Sequence, residues 1–232
     1  VFGFGKIVFW EACNGSGDFK QEIEDVNIIQ EGDILIKAKW LYNYVSKIDQ
    51  ETITICQIDE KVLQIASPKF SSEINLIDSS SFPIIEFDYK DRKKLTLTYD
   101  TLLNIQKHLK PFITTAKNTT NLSTTGILFN PVDDKQMECV SSDGARIAYY
   151  KFDYLGEGLR FILEPKAIDM AIEILSSNGN KTVDLYLNNQ KCLLKIDKTL
   201  IQFSLFNKNI YPNIINAILS DTKFSFKITT IS

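Results

Sequence analysis

The stretch "FILEPKAIDMAIEIL", Phe161 to Leu175, reads as a short apolar strand followed by a helix. Ile168, Ile172 and Leu175 recur at i, i+4 and i+7, and Pro165 is placed to open the helix at its first turn. The same pattern stands earlier in the chain. "ILIKAKWLYNYVSKI", Ile34 to Ile48, aligns with it at an offset of 127 and matches Leu41 to Ile168, Val45 to Ile172 and Ile48 to Leu175. Outward from this pair, "KIVFWEACNG" from Lys6 meets "KQMECVSSDG" from Lys135 at an offset of 129, so that Asn14-Gly15 falls on Asp143-Gly144. "ETITI" from Glu51 meets "KTVDL" from Lys181 at 130; "INL" from Ile74 meets "FSL" from Phe203, and Phe82-Pro83 meets Tyr211-Pro212, both at 129. Five elements in one order define a repeated module of roughly 125 residues, an ordinary domain size.

Strands dominate the module. Apolar/polar alternation marks Asp33 to Ala38, Thr52 to Ile58, Ser72 to Ile77, Lys94 to Tyr99, Thr182 to Leu187 and Gln202 to Phe206. Helical spacing is confined to Ala38 to Ile48, Asp100 to about Lys110 with Pro111 ending it, and Pro165 to Leu175. The fold class is therefore α+β. Asp143-Gly144 predicts a tight hairpin of type I′, with φ > 0 at both central residues. Before its hairpin the second copy has a lead-in, Lys94 to Phe129, that the first lacks, and "TKFSFKITTIS" (Thr222 to Ser232) alternates like "KKLTLTYD" from Lys93. The expected organisation is the C-terminal part of one module over 1–91, a complete module over 92–218 and the first strand of a third over 219–232. A half module leaves an unpaired sheet edge, which favours association.

Composition narrows the function classes. The 232 residues are 44% hydrophobic and 24% charged, and Lys+Arg 26 against Asp+Glu 29 gives a net charge of -3, so no global nucleic-acid signature is present. No apolar run approaches the roughly 20 residues of a membrane helix, and no signal peptide opens the chain, so a cytoplasmic protein without a membrane partner is expected. Cys13, Cys56, Cys139 and Cys192 lie far apart without a C-x-x-C pair, which points to buried or half-buried strand residues rather than a metal or redox site. The single histidine, His108, has no nucleophile partner nearby and reads as a surface helix residue. Asp133, Asp134 and Asp143 flank a hairpin and make a metal-dependent enzyme one alternative, but "NPVDDKQ" is a turn composition and no third ligand has suitable spacing. Nothing near Asp143 supplies a base, a nucleophile and an orienting group together, so no catalytic residue, metal or cofactor is expected.

The combination of "LSTTGILF" (Leu122 to Phe129), "SSDGARIAYY" (Ser141 to Tyr150), "EPKAIDMAIEIL" (Glu164 to Leu175) and "YPNIINAI" (Tyr211 to Ile218) resembles the central domain of the bacterial sliding clamp, the β subunit of DNA polymerase III. In that family the hairpin reads Thr-Asp-Gly-His-Arg-Leu, so "SSDGARI" is similar, with Ser142, Ala145 and Ile147 substituted; the later element reads Phe-Pro-Asp-Tyr, against Tyr211-Pro212-Asn213-Ile214. The resemblance covers most of the chain from about Gly32 onward. It implies tandem copies of one clamp domain, three per subunit, in a head-to-tail homodimeric ring with helices lining the hole and antiparallel sheets outside. It further implies a non-catalytic processivity factor that encircles double-stranded DNA and tethers the replicative polymerase, the clamp loader and repair proteins through short linear peptides.

Carried over by position, the resemblance implies DNA-facing roles for Lys39, Lys107, His108, Lys110 and Lys166, with Lys117, Asn118 and Asn121 on the loop after the second helix. It implies a peptide-docking wall made by Thr124, Ser142, Gly144, Ala145, Arg146, Ile147, Pro212, Asn216 and Ala217. In that wall the Arg146 stem packs apolar peptide atoms while its guanidinium bonds an oxygen; the competing reading packs Arg146 over a tyrosine on a neighbouring strand. Ala145 removes an imidazole and Asn216 stands where the family often has arginine, so peptide preference is expected to differ. A tandem interaction module without DNA encirclement is the other alternative.

Overall fold

The computed structural model describes residues 2–4, 7–15, 17–49, 52–115, 117, 119–207 and 211. The first unit runs β1 (Phe2–Phe4), β2 (Ile7–Cys13), β3 (Gly17–Ile23), β4 (Gly32–Asp33), α1 (Ala38–Val45), β5 (Thr54–Asp59), β6 (Val62–Ser67) and β7 (Phe70–Asn75). The second runs β8 (Lys93–Thr98), α2 (Tyr99–Leu109), β9 (Ile127–Pro131), β10 (Gln136–Ser142), β11 (Ile147–Asp153), β12 (Leu155–Gly156), β13 (Phe161–Leu163), α3 (Pro165–Asn178), β14 (Thr182–Leu187), β15 (Lys191–Ile196) and β16 (Thr199–Ser204).

The repeat read from the sequence is a repeat of topology. The order β3-β2-β1-β4 in the first unit is matched by β11-β10-β9-β13 in the second, and β5-β6-β7 by β14-β15-β16. Backbone details repeat as well: the Ile77 amide donates to the Leu35 carbonyl at 2.8 Å, and the Phe206 amide donates to the Ile162 carbonyl at 3.3 Å. One element joins the units. β16 pairs antiparallel with β3, from Thr199↔Gln21 to Phe203↔Gly17, and so carries the second unit's strands into the first unit's in one nine-stranded sheet.

Both units put their apolar faces inside. In the second unit α2 buries Leu102, Ile105 and Leu109 and α3 buries Ala167, Ile168, Ala171 and Leu175; both close over a core fed by two sheets, with Phe129 and Phe161 stacked at 4.5 Å. α2 is capped by the Thr98 hydroxyl, which accepts from the Thr101 amide at 3.1 Å, while Asp100 and the pair Lys107 and His108 complement the helix dipole at its two ends. Pro165 opens α3, and Gly179, at φ 69°, ends it in the left-handed region. The first unit has a smaller core, in which Leu41 of α1 meets Leu63, Ile65 and Ile74.

Three expectations are corrected. The hairpin at Asp143-Gly144 is not a two-residue type I′ turn: Ser142 pairs with Ile147 across four residues, and only Gly144, at φ 89°, is left-handed. The wider loop forms because the Asp143 carboxylate accepts the Ala145 and Arg146 amides at 3.0 and 2.7 Å and so satisfies a turn that does not need φ > 0 at the aspartate. The Asn14-Gly15 hairpin has the same size, with Cys13 pairing Asp18 and Gly15 at φ 81°. The strand expected over Asp33 to Ala38 reduces to β4 and a single bridge, Leu35 to Ile77, because the chain leaves the sheet there to enter α1. Finally, Cys139 and Cys192 are buried but Cys13 and Cys56 are exposed, Cys13 at the end of β2 and Cys56 on β5, whose six residues are all exposed; all four are free thiols. Residues 219–232, read as the start of a third module, lie outside the described residues.

Candidate partner-docking and DNA-facing sites

The β10–β11 hairpin is held by its own side chains. Ser142 is buried; its hydroxyl accepts from the Gly144 amide at 3.1 Å and donates to the Arg146 carbonyl at 2.9 Å. The Arg146 Nε and Nη2 donate to Asp143 Oδ2 at 2.9 and 2.7 Å, Nη2 also reaches the Pro111 carbonyl at 3.4 Å, and the guanidinium lies 5.0 Å from the centre of the Phe112 ring. The aromatic partner is thus Phe112, following α2, rather than a strand tyrosine. The amides of Arg146 and Ala145 and the Arg146 guanidinium hold the Asp143 carboxyl down to about 2. The Arg146 side chain remains 61% exposed.

Beside the hairpin lies a closed apolar cluster that the sequence did not nominate. On the sheet face away from the helices, Leu128, Val140, Ile162 and Tyr211 form a separate buried cluster with Phe206 against it. The Tyr211 hydroxyl donates to the Val140 carbonyl at 3.2 Å, and burial pushes its ionisation well above the usual phenol range. The signal that could have revealed this cluster is "GILFN" and "ECV", whose apolar residues occupy both faces of their strands instead of alternating. Of the nominated wall, Gly144, Ala145, Arg146 and Ile147 are exposed, and Thr124 is half-buried, its hydroxyl bonding the Asn121 carbonyl at 2.8 Å. Pro212, Asn216 and Ala217 lie outside the described residues.

The nominated cations are distributed over the three helices. Lys39 on α1, Lys107 on α2 and Lys166 on α3 are exposed, as is Lys117 beyond α2. His108 is exposed too and stacks on Tyr150 of β11 at 6.2 Å. Lys110 is committed elsewhere: its ammonium lies 2.7 Å from Asp169 of α3, which also accepts from Gln106 at 2.7 Å. Asn121 caps a short 3₁₀ turn by accepting the Ser123 amide at 3.1 Å, a structural use of its side chain. Asn118 lies outside the described residues. Among the described residues no cluster of three or more His, Cys, Asp or Glu is placed to hold a metal ion.

The class of fold is a tandem repeat of α+β units joined through a shared sheet. No family model matches the chain. It is 23% identical over 217 residues to the β sliding clamp of Mycoplasma pneumoniae, covering 89% of this chain and 56% of the relative, and 26% identical over 215 residues to that of Halalkalibacterium halodurans, covering 89% and 54%. Among solved structures it is similar to the sliding clamp of Bacillus subtilis (TM-score 0.82, 19% identity, 95% of this chain and 59% of that one) and to the β chain from Streptococcus pneumoniae (TM-score 0.84, 19% identity, 96% and 59%). A third, the clamp of Bartonella birtlesii solved with griselimycin bound, aligns with a TM-score of 0.78 at 20% identity over 92% and 57%. The chain is similar in sequence to bacterial β sliding clamps and has their fold. It spans about half the length of the curated relatives it matches.

Proposed function

We propose that this chain is the partner-docking portion of a DNA sliding clamp, a non-catalytic accessory subunit that encircles duplex DNA and tethers a polymerase, a clamp loader and repair proteins through short linear peptides. The observation that carries the reading is the β16–β3 joint. Each strand of that joint has a counterpart elsewhere in the chain that, among the described residues, stands at a sheet edge: β7 matches β16 and ends the sheet β5-β6-β7, and β11 matches β3 and ends the sheet β11-β10-β9-β13. A unit with both halves of one joint free at opposite ends extends head to tail, and a rotation that closes makes a ring. On this reading residues 1–91 and 92–218 divide between two domains, 219–232 open a third, and the ring is a cytoplasmic homodimer.

In the ring the helices face DNA, and Lys39, Lys107, His108, Lys117 and Lys166 supply loose phosphate contacts that carry no sequence information, which suits sliding. The exposed hairpin residues Gly144 to Ile147, with half-buried Thr124, form one wall of the peptide site, backed by the closed Leu128, Val140, Ile162 and Tyr211 cluster. Ion pairing to Asp143 and contact with Phe112 hold the Arg146 stem at the rim, preorganised for the incoming chain. Fluorescence anisotropy of a labelled glutamine-led peptide ending in Leu-Phe tests this with the whole protein: Arg146→Ala should weaken binding about tenfold. Equal binding by the variant and the parent would remove the hairpin from the site.

A further inference from the structure

A pocket of about 410 Å³ opens in the first unit, between the outer face of the sheet around β2 and β4 and the strap that follows Ser79. Its lining includes Glu11, Asp33, Leu35, Phe82, Ile84 and Ile85. The internal repeat explains why it is open. Leu35 takes the place of Ile162, and Phe82 that of Tyr211, but Glu11 stands where the second unit has Val140. In the second unit Val140, Ile162 and Tyr211 close on one another, with Tyr211 5% exposed and anchored by its hydroxyl. Phe82 has no hydroxyl to anchor it and shares the pocket with the Glu11 carboxylate, and Ile84 beyond it is 95% exposed.

The geometry points to a second peptide-docking site, here for an extended segment that carries a lysine or arginine beside an apolar side chain. Three features define that occupant. The volume lies within the roughly 300–1,000 Å³ of ordinary ligand pockets, and Leu35, Phe82 and Ile85 give it an apolar interior for one side chain. β4 ends the nine-stranded sheet, so the backbone of Gly32 and Asp33 has no strand on its outer side among the described residues, and an extended chain can add there up to the Leu35 to Ile77 bridge. The charge selects a cation: Glu11 is balanced by Lys20 at 2.7 Å, whereas Asp33 is exposed and has no ion pair among the described residues, leaving the pocket one net negative charge. The Ser142 to Ile147 hairpin uses an arginine at its rim and the first-unit pocket an aspartate, so the two sites select different peptides.

The test is anisotropy of a fluorescein-labelled Gly-Leu-Lys-Leu-Gly peptide and of the same peptide with glutamate for lysine, titrated with the whole protein. Saturable binding of the lysine peptide is expected, weakened about fivefold by Asp33→Lys and by the glutamate exchange, as reversal of an exposed charge pair implies. Leu35→Ser should weaken both peptides together, while Asp33→Lys leaves the glutamine-led peptide of the second unit unaffected. No saturable binding of the lysine peptide, or binding that Asp33→Lys leaves unchanged, overturns the proposal. Loss with Arg146→Ala but not Asp33→Lys does so too, since it places the peptide on the other site, and none of these results bears on the clamp reading.

Discussion

Asp143 and Arg146 act as one unit, and their coupling has a pH signature. A carboxyl held at about 2 against an ordinary 3.8 favours the folded hairpin above the ordinary value, and that contribution disappears as the pH falls through about 2. An NMR titration should therefore show the Ala145 and Arg146 amides moving with a midpoint near 2; a midpoint at 3.8 would mean that the carboxylate is not capping them. Tyr211→Phe should cost about 1 kcal/mol in urea unfolding, the usual worth of one buried hydrogen bond. Part of this was legible in the sequence and part was not. Gly144 announced a turn because turn chemistry is local, but the contact between Arg146 and Phe112 joins segments 34 residues apart and leaves no periodic trace. The Leu128, Val140, Ile162 and Tyr211 cluster was missed for a related reason, since nothing local in the sequence sets Tyr211 on Val140.

Among the elements, the joint between β16 and β3 has the largest consequences. Gln202, 1% exposed on β16, accepts from Arg92 Nη2 at 2.8 Å and donates to the Glu86 carbonyl at 3.3 Å and to Asp18 of β3 at 3.4 Å, so one amide ties both units to the segment linking them. Arg92 Nη1 already lacks a hydrogen-bond partner among the described residues. Gln202→Leu would strand Nη2 as well, and a loss of about 1–3 kcal/mol in chemical unfolding is expected; an unchanged midpoint would show that the network is not holding the joint. The strands themselves were readable because one buried face imposes a period of two, and α3 was readable because its apolar residues recur at helical spacing. β4 was overread because "DILIKA" alternates like a strand, while among the described residues its strand pairing beyond β4 is the isolated bridge of Leu35 to Ile77. That β16 would pair with β3 was invisible, since alternation fixes which face is buried and says nothing about which neighbour takes the edge.

For the whole molecule the account predicts assembly through the edges of β7 and β11. The isolated chain should sediment as concentration-dependent oligomers, because each exposed edge matches a strand that the joint already uses; a monomer at all concentrations would argue against a propagating unit. Charge distribution makes a second prediction. Lys107→Glu should weaken duplex binding by the whole protein and reduce its salt dependence by about one phosphate contact, whereas Lys110→Ala should do neither, its ammonium being paired with Asp169. The repeat made the tandem arrangement legible from sequence, but ring closure is a property of the angle at the joint, which no linear pattern encodes. The measurement that bears most directly on the claim is retention of the whole protein on DNA of different topology. Once loaded on a nicked circular plasmid, it should stay bound through gel filtration at high salt and be released when a single cut linearises the plasmid. Equal loss from circular and linear DNA would contradict encirclement and leave a tandem docking module.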